Sequence, residues 1–190
     1  AVLPFVNVAK DSKIEYLCDG LAEALTIQIS RLPQVAKVTA FSGVLYFKGK
    51  NIAPAEIGTQ LGVGTILVTR LYQHGDSIQL AMELLDTREN SHLWSGLFQE
   101  GISRVDRLIP SVFLSLANDL NLVGSSSHPQ FGSEVSEAYK LYLQARHYYH
   151  KRHIEDWRLG MKYYREAIAL DSSFALAFSG LAESYVQMTP

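Results

Sequence analysis

Three closely spaced histidines could bind a metal ion. His147, His150 and His153 are three residues apart, and the first two could share one face of a helix. Neutral imidazoles are common ligands of divalent metals, and such a set would suit a metal-assisted hydrolase. The nearest carboxylate at ligand spacing, Asp156, lies beyond an expected turn, and no cysteine is nearby. We therefore favour solvated charges at a helix end, predict no bound metal, and keep the hydrolase as an alternative.

Other catalytic patterns are missing from the sequence. A nucleophile elbow needs Gly-x-Ser-x-Gly after a strand, and no such run occurs. The stretch 43–50 has one residue too many between its glycines for a phosphate-binding loop, and Asn51 replaces the magnesium-binding hydroxyl. Cys18 falls on an apolar helix stripe, which predicts a buried structural role. Asp19 and Glu23 share a helix face, where we expect a solvated surface. The sequence therefore predicts a segment that is not an enzyme and needs no cofactor.

A basic and aromatic loop is a candidate nucleic-acid site. Lys48 and Lys50 lie in it and could contact an anionic ligand. The chain has 17 basic and 19 acidic side chains and a formal net charge of -2, so it has no strong positive field to attract DNA. We favour a solvated loop anchored by its aromatics and expect no nucleic-acid partner, with nucleic-acid binding as the alternative. The other members of this group are Lys37, Phe41, Tyr46 and Phe47.

Tyrosine is concentrated in the last third of the chain, which holds seven of the ten tyrosines. A two-layer helical segment cannot bury all of them, so we expect a few on a concave surface. There tyrosine provides contact area and a polar tip at small entropic cost, which favours recognition of a protein or peptide. The candidate partner-binding residues are Tyr142, Arg146, Tyr149 and Tyr185.

The first part of the chain, 1–123, has the pattern of an α/β domain. Short apolar runs alternate with a helical apolar stripe, and a period of two over three later runs predicts antiparallel strands joined by hairpins. This order predicts a mixed sheet with covering helices. The predicted strands are 1–8, 34–40, 64–73, 77–86 and one through 93–98, and the predicted helices are 13–32, 54–61 and one that begins near Pro110.

The rest of the chain has no strand pattern. Residues 124–132 are rich in serine, glycine and proline, which indicates a linker, and we place its bounds at 124–133. Beyond it we expect helices at 134–150, 154–170 and 173–188. The sequence therefore predicts an all-α segment of helical hairpins at 134–190.

A weak internal repeat runs through these helices. Ala145 followed by Tyr148 recurs 37 residues later as Ala182 followed by Tyr185. The other positions of the pattern are Gly160, Tyr164, Ala167 and Phe178. The pattern resembles the tetratricopeptide repeat, which has a period of about 34 residues, with about three residues inserted at a turn. The resemblance implies one full repeat and the first helix of a second, in which small residues let paired helices approach.

Five groups of residues in the α/β part match a known domain family in their order along the chain. They are Val2-Leu3-Pro4-Phe5, Tyr16 with Asp19-Gly20-Leu21, Phe47-Lys48-Gly49-Lys50-Asn51, Glu56-Ile57-Gly58 through Leu61-Gly62-Val63, and His92-Leu93-Trp94-Ser95. Together they resemble the TolB-like amino-terminal domain of bacterial multidomain regulators. That family typically joins this domain and helical repeats to an output module, such as a winged-helix domain, a kinase or a nucleotide cyclase. The resemblance implies a part in signal transduction or transcriptional regulation.

We predict a non-catalytic sensory or protein-interaction segment of a larger bacterial regulator, which binds a protein or peptide in the groove of its repeats. Self-association is left open. No run approaches the roughly 20 apolar residues of a membrane span. The resemblance favours the periplasmic part of a membrane-anchored regulator, with a cytoplasmic location as the alternative. Ala1 falls inside a strand pattern and Pro190 directly follows a helical one, so we expect a longer protein.

Overall fold

The computed structural model describes residues 1–122 and 132–188. These residues form one four-stranded sheet and seven α-helices, so the architecture is α/β, as the sequence predicts. The strands are β1 (Val6–Asn7), β2 (Thr65–His74), β3 (Ser77–Asp86) and β4 (His92–Gly101). The helices are α1 (Glu15–Ser30), α2 (Phe41–Val44), α3 (Pro54–Leu61), α4 (Leu108–Asp119), α5 (Ser136–His150), α6 (Ile154–Leu170) and α7 (Ala175–Met188).

The sheet is mixed and has the strand order β1-β2-β3-β4. β1 runs parallel to β2, and the other two pairs are antiparallel. Gly75, with a φ of 59°, lies in the tight turn between β2 and β3, in a conformation that glycine adopts without strain. The register places Leu80 between Leu71 and Phe98, so alternate residues of the three long strands lie on one face.

Two helices cover this face of the sheet. Leu17, Leu21 and Leu25 repeat along the inner side of α1 and are fully buried, which contributes about 2 kcal/mol each. α4 packs against β4, where Trp94 Nε1 donates a hydrogen bond to Asp119 Oδ2 at 2.8 Å. Most buried side chains of the sheet and these helices belong to one hydrophobic cluster, whereas Phe113 and Ala117 of α4 belong to a second, smaller one.

The predicted strand at 34–40 is wrong. This segment has no regular secondary structure, and Val35 packs against a small apolar cluster that contains Leu32 and Phe113. An apolar run becomes a strand only where a neighbouring strand offers free hydrogen-bonding groups, and the direct pairing of β1 with β2 leaves no place between them. The first strand is also shorter than predicted, because Pro4 has no N–H to donate and only Val6–Asn7 pair regularly.

The last three helices pack against one another in order. Tyr142 contacts Tyr164, and Ala145 lies opposite Gly160, so α5 and α6 run antiparallel. A Cβ atom at Gly160 would lie 3.1 Å from the carbonyl oxygen of Ala145, which shows how closely the two helices approach. The bounds of all three helices agree with the predicted ones to within two residues.

α5 also packs against α1 and so connects the helical segment, 132–188, to the α/β part. A Cβ atom at Gly20 would lie 2.7 Å from Leu143 Cδ2. Buried residues of both helices belong to the same hydrophobic cluster. Most of the predicted linker, with His128, lies outside the described residues. Within the described ranges, no helix is long and apolar enough to cross a membrane.

Candidate functional site

A set of charged side chains lies between α1 and α5. Asp19 and Glu23 on α1 are only 5% and 6% exposed, so the prediction of a solvated face for these two acids is wrong. Buried carboxylates are rare unless they are paired, and both have partners of opposite charge. We call this set the ionic cluster. Its members are Glu15, Asp19, Glu23, Lys48, Arg146, His147, His150 and Glu183.

The first half of the ionic cluster is centred on Asp19. Lys48 Nζ donates to Asp19 Oδ1 at 2.5 Å and lies 2.7 Å from Glu15 Oε1. On the other side, His147 Nδ1 lies 2.7 Å from Asp19 Oδ2. One buried carboxylate therefore contacts both the loop after α2 and helix α5.

The second half is centred on Glu23 and Arg146. Arg146 Nε donates to Glu23 Oε2 at 2.6 Å and Arg146 Nη2 donates to Glu23 Oε1, which makes a bidentate pair. The remaining guanidinium nitrogen, Nη1, donates to Glu183 Oε2 on α7 at 2.7 Å. His150 Nε2 lies 3.1 Å from Glu23 Oε2. Arg146 thus connects three helices, one of them from the α/β part.

The electrostatic environment keeps both buried acids ionised. Burial alone would raise the pKa of each carboxyl, because a surrounding of low polarity disfavours the charged form. In Asp19 the contacts with His147 and Lys48 outweigh burial and hold the pKa below its usual range. In Glu23 the contacts with His150 and Arg146 outweigh burial and lower the pKa to about 2. Asp19 and Glu23 are therefore charged at neutral pH.

We expect part of the stability of the fold to be lost between about pH 4.5 and about pH 2. The pKa of Glu23 is lower in the folded than in the unfolded chain, so unfolding takes up a proton in this range. The stabilisation is complete above the unfolded pKa and disappears as the pH falls through the folded one. Urea denaturation at a series of pH values measures this loss. A Glu23→Gln variant lacks this carboxyl group. If the variant and the wild type lost the same stability over this pH range, the loss could not be assigned to Glu23.

An open cleft of about 500 Å³ lies beside the ionic cluster, between α2 and the helical segment. The Arg146 guanidinium lies 4.9 Å from the centroid of the Tyr149 ring, and Trp157 Nε1 donates to the Tyr149 carbonyl oxygen at 3.0 Å. Aromatic surface and charges of both signs therefore meet in one concavity. Residues that line it include Phe41, Ser42, Arg146, Tyr149, Trp157 and Gln187.

The structure brings two of the four candidate partner-binding residues into this cleft. Arg146 and Tyr149 line it. Tyr142 is 4% exposed and packs among Tyr139, Tyr164 and Phe174, so its ring lies in the core and not in the groove. Tyr185 lies on the exposed side of α7, where its hydroxyl accepts a hydrogen bond from Arg165.

The three histidines do not converge on one point. His147 and His150 each face a carboxylate of α1, whereas His153 is exposed just before α6. Within 1–122 and 132–188, no group of three or more His, Cys, Asp or Glu side chains is arranged to hold a metal ion.

Cys18 is buried, as predicted, and burial raises the pKa of its thiol.

The two lysines of the basic loop have different surroundings. Lys48 belongs to the ionic cluster and contacts two carboxylates. Lys50 Nζ lies 2.9 Å from the centroid of the Tyr46 ring, which is itself exposed. The pair therefore does not form a joint surface of free positive charge.

The positions of the sequence repeat differ in how deeply they are buried. Four of them are buried between the helices, namely Ala145, Gly160, Tyr164 and Ala167. Tyr148 is half-buried and stacks on Tyr163. Phe178 and Ala182 are exposed on α7.

The ionic cluster is the main feature that the sequence analysis missed, although the sequence contains a signal for it. Between Asp19 and Glu23 stand only Gly20, Leu21 and Ala22, and apolar residues continue on both sides. A helix that is apolar or small all round is buried, so two acids within it require partners. Because the partners on α5, Arg146 and His147, are more than 120 residues away, the sequence does not identify them.

No family model matches the chain. A curated protein of Rhizobium meliloti (strain 1021), named "Putative adenylate cyclase 3", is 25% identical to it over 150 residues. The match covers 77% of this chain and 25% of that protein, so the chain spans about a quarter of the length of the curated relative it matches.

Comparison with solved structures found partial matches to two bacterial proteins. Lipoprotein GNA1162 from Neisseria meningitidis has 22% sequence identity and a TM-score of 0.41, over 62% of this chain and 96% of that chain. TolB from Acinetobacter baumannii has 15% identity and a TM-score of 0.38, over 62% of this chain and 27% of that chain.

Proposed function

We propose that this chain is a non-catalytic segment of a signalling protein and that its cleft binds a protein or peptide partner. The observation that carries the proposal is the position of the cleft. Arg146 and Tyr149 line it on α5, and Phe41 and Ser42 line it on α2. A partner in the cleft would therefore contact the helical segment and the α/β part together, so its binding would affect how the two parts pack.

The packing of the last three helices supports a tetratricopeptide-like repeat, which we propose for this segment. Arg146 on α5 pairs with Glu183 on α7, and these residues are 37 positions apart, the same separation as in the sequence repeat. We assign α5 and α6 to one repeat and α7 to the first helix of the next. The division that follows is an α/β domain at 1–123, a linker at 124–133 and a repeat segment at 134–190.

The relative named as an adenylate cyclase supports a place in signalling. We propose that this chain has the sensing or docking part in such a protein and does not itself carry out the chemistry. The buried acids Asp19 and Glu23 are paired with basic side chains in the ionic cluster, where these pairs hold helices together. This use of the charges favours a structural role for them over a catalytic one.

We expect a bulky side chain in the cleft to weaken peptide binding. A random peptide library displayed on phage and selected on the wild-type chain supplies the probe, and titration calorimetry measures its affinity. Ser42 is exposed at the cleft, so Ser42→Trp should fill the cleft without disturbing the core, and we expect the affinity to fall at least about tenfold, or about 1.4 kcal/mol.

Ser111→Trp, at an exposed position on α4, is the matched control and should bind the peptide like the wild type. Gln187→Trp is a second variant that fills the cleft. If a selected peptide binds both cleft variants as tightly as it binds the wild type, the cleft is not the binding site. Formation of cyclic AMP from ATP by the chain alone would contradict the non-catalytic part of the proposal.

A further inference from the structure

β4 is an edge strand with unused hydrogen-bonding groups. Ile102 N–H donates to Asp76 O, so residues 102 and 76 form a hydrogen-bonded pair, and such pairs alternate along the ladder. It follows that Gly96, Phe98 and Glu100 direct their backbone groups toward β3. The residues between them direct theirs to the other side, where the described residues contain no further strand. These outward residues are Ser95, Leu97 and Gln99.

The side chains along this edge are also open. Ser95, Leu97 and Gln99 are all exposed, and Leu97 is 67% exposed. Natural sheets usually protect an edge with a very short strand, proline, lysine or a bulge, because an open edge pairs with other chains. The opposite edge has such protection, since β1 is two residues long and follows Pro4. β4 has ten residues and contains neither proline nor lysine.

A register shift limits the free edge to the later part of β4. The pairing with β3 slips between Leu84 and Leu85, next to the start of β4. From Trp94 to Gly101 the ladder is regular. The outward residues of this part are Ser95, Leu97, Gln99 and Gly101, and Leu97 lies midway between Ser95 and Gln99, so a twofold axis through a hydrogen-bonded pair at Leu97 places these two residues opposite each other.

We propose that β4 pairs antiparallel with β4 of a second copy of this chain, about a twofold axis at Leu97, to give a continuous sheet of two copies. In this register Leu97 faces Leu97, and Ser95 faces Gln99, so the outward N–H groups of Ser95, Leu97 and Gln99 each meet a carbonyl oxygen. Glu100 faces Trp94 of the other copy, and no two like charges lie opposite each other. The free edge is thus complementary to itself in both hydrogen bonding and charge, which is why we assign a second copy as the occupant. The proposal is independent of the function of the cleft.

The test uses charge at the twofold axis. In Leu97→Lys and in Leu97→Glu, two like charges would face each other, so we expect both variants to be monomers in sedimentation velocity, whereas the wild type is a dimer. A mixture of equal amounts of the two variants places opposite charges together and should form dimers again. Val186→Lys, at a 71% exposed position on α7, is the matched control and should remain a dimer.

Hydrogen exchange of the wild type provides a second test that needs no variant. The N–H groups of Leu97 and Gln99 should exchange more slowly as the protein concentration rises, whereas that of Phe98, which faces β3, should not change. Three results would each overturn the proposal. The first is a wild type that stays monomeric and whose hydrogen exchange does not depend on concentration. The others are a dimer that persists in both charged variants, and an equal mixture of the two variants that stays monomeric. A strand of another protein would be the occupant of the edge in the first case.

Discussion

Glu23→Gln is expected to lower the free energy of unfolding by about 3 to 5 kcal/mol. The substitution keeps the shape of the side chain but removes the charge that Arg146 contacts with two nitrogens. A buried guanidinium without its counter-charge is costly, because it has lost water and gained no equivalent partner. Glu183 would still contact Arg146, but it is half-exposed and compensates only in part, so we expect the lower end of this range. Urea denaturation measures the change.

Two further variants make this test specific. Glu83→Gln removes the same charge from the exposed pair with Arg70, and we expect a change of no more than about 0.5 kcal/mol. The double variant Glu23→Leu with Arg146→Met removes both charges and should be more stable than Glu23→Gln, since no guanidinium is left unpaired. If Glu23→Gln and Glu83→Gln had equal stability, the ionic cluster would not hold α5 against α1.

Gly160→Leu is expected to separate α5 from α6 and to destabilise the helical segment by about 3 kcal/mol. The new Cβ atom would lie 3.1 Å from Ala145 O and 3.6 Å from Tyr148 Cβ, and backbone cannot move aside as a flexible side chain can. Leucine has a better helix propensity than glycine by less than about 1 kcal/mol, so the clash outweighs this gain. Limited proteolysis should then cut the chain beyond Ser133 first.

Gly64→Leu is the matched control for this substitution. A Cβ atom at Gly64 would meet nothing within 4 Å, so the same change in side chain should leave the protease pattern unaltered. Unchanged protease resistance beyond Ser133 in Gly160→Leu would contradict the close packing of α5 on α6.

Elements with strong local signals agree between sequence and structure. Helix α3 begins at Pro54 and ends before Gly62, as predicted, because proline has the backbone angle of a first helical turn and Gly62 adopts a left-handed φ of 65° at the end. The hairpin of β2 and β3 likewise follows from its glycine turn and alternating apolar residues. Such signals depend only on neighbouring residues, so the sequence is sufficient to locate them.

Features that depend on distant partners could not be predicted in the same way. The run 34–40 has the composition of a strand, yet within the described residues it pairs with none of the four strands, and composition alone does not contain that information. Tyr142 and Tyr149 are alike in sequence pattern, yet one lies in the core and the other lines the cleft. The difference arises because α1 and α7 cover part of α5, and only the packing of the whole chain decides which part.

The two tryptophans give each part of the molecule its own optical reporter. Trp94 lies beneath α4 in the α/β part, with its indole N–H on a carboxylate, whereas Trp157 lies in the helical segment, with its N–H on a backbone carbonyl. The chain has no other tryptophan. Replacing either one with phenylalanine leaves a single tryptophan, so tryptophan emission in the two variants can follow the sheet and the helices separately during denaturation.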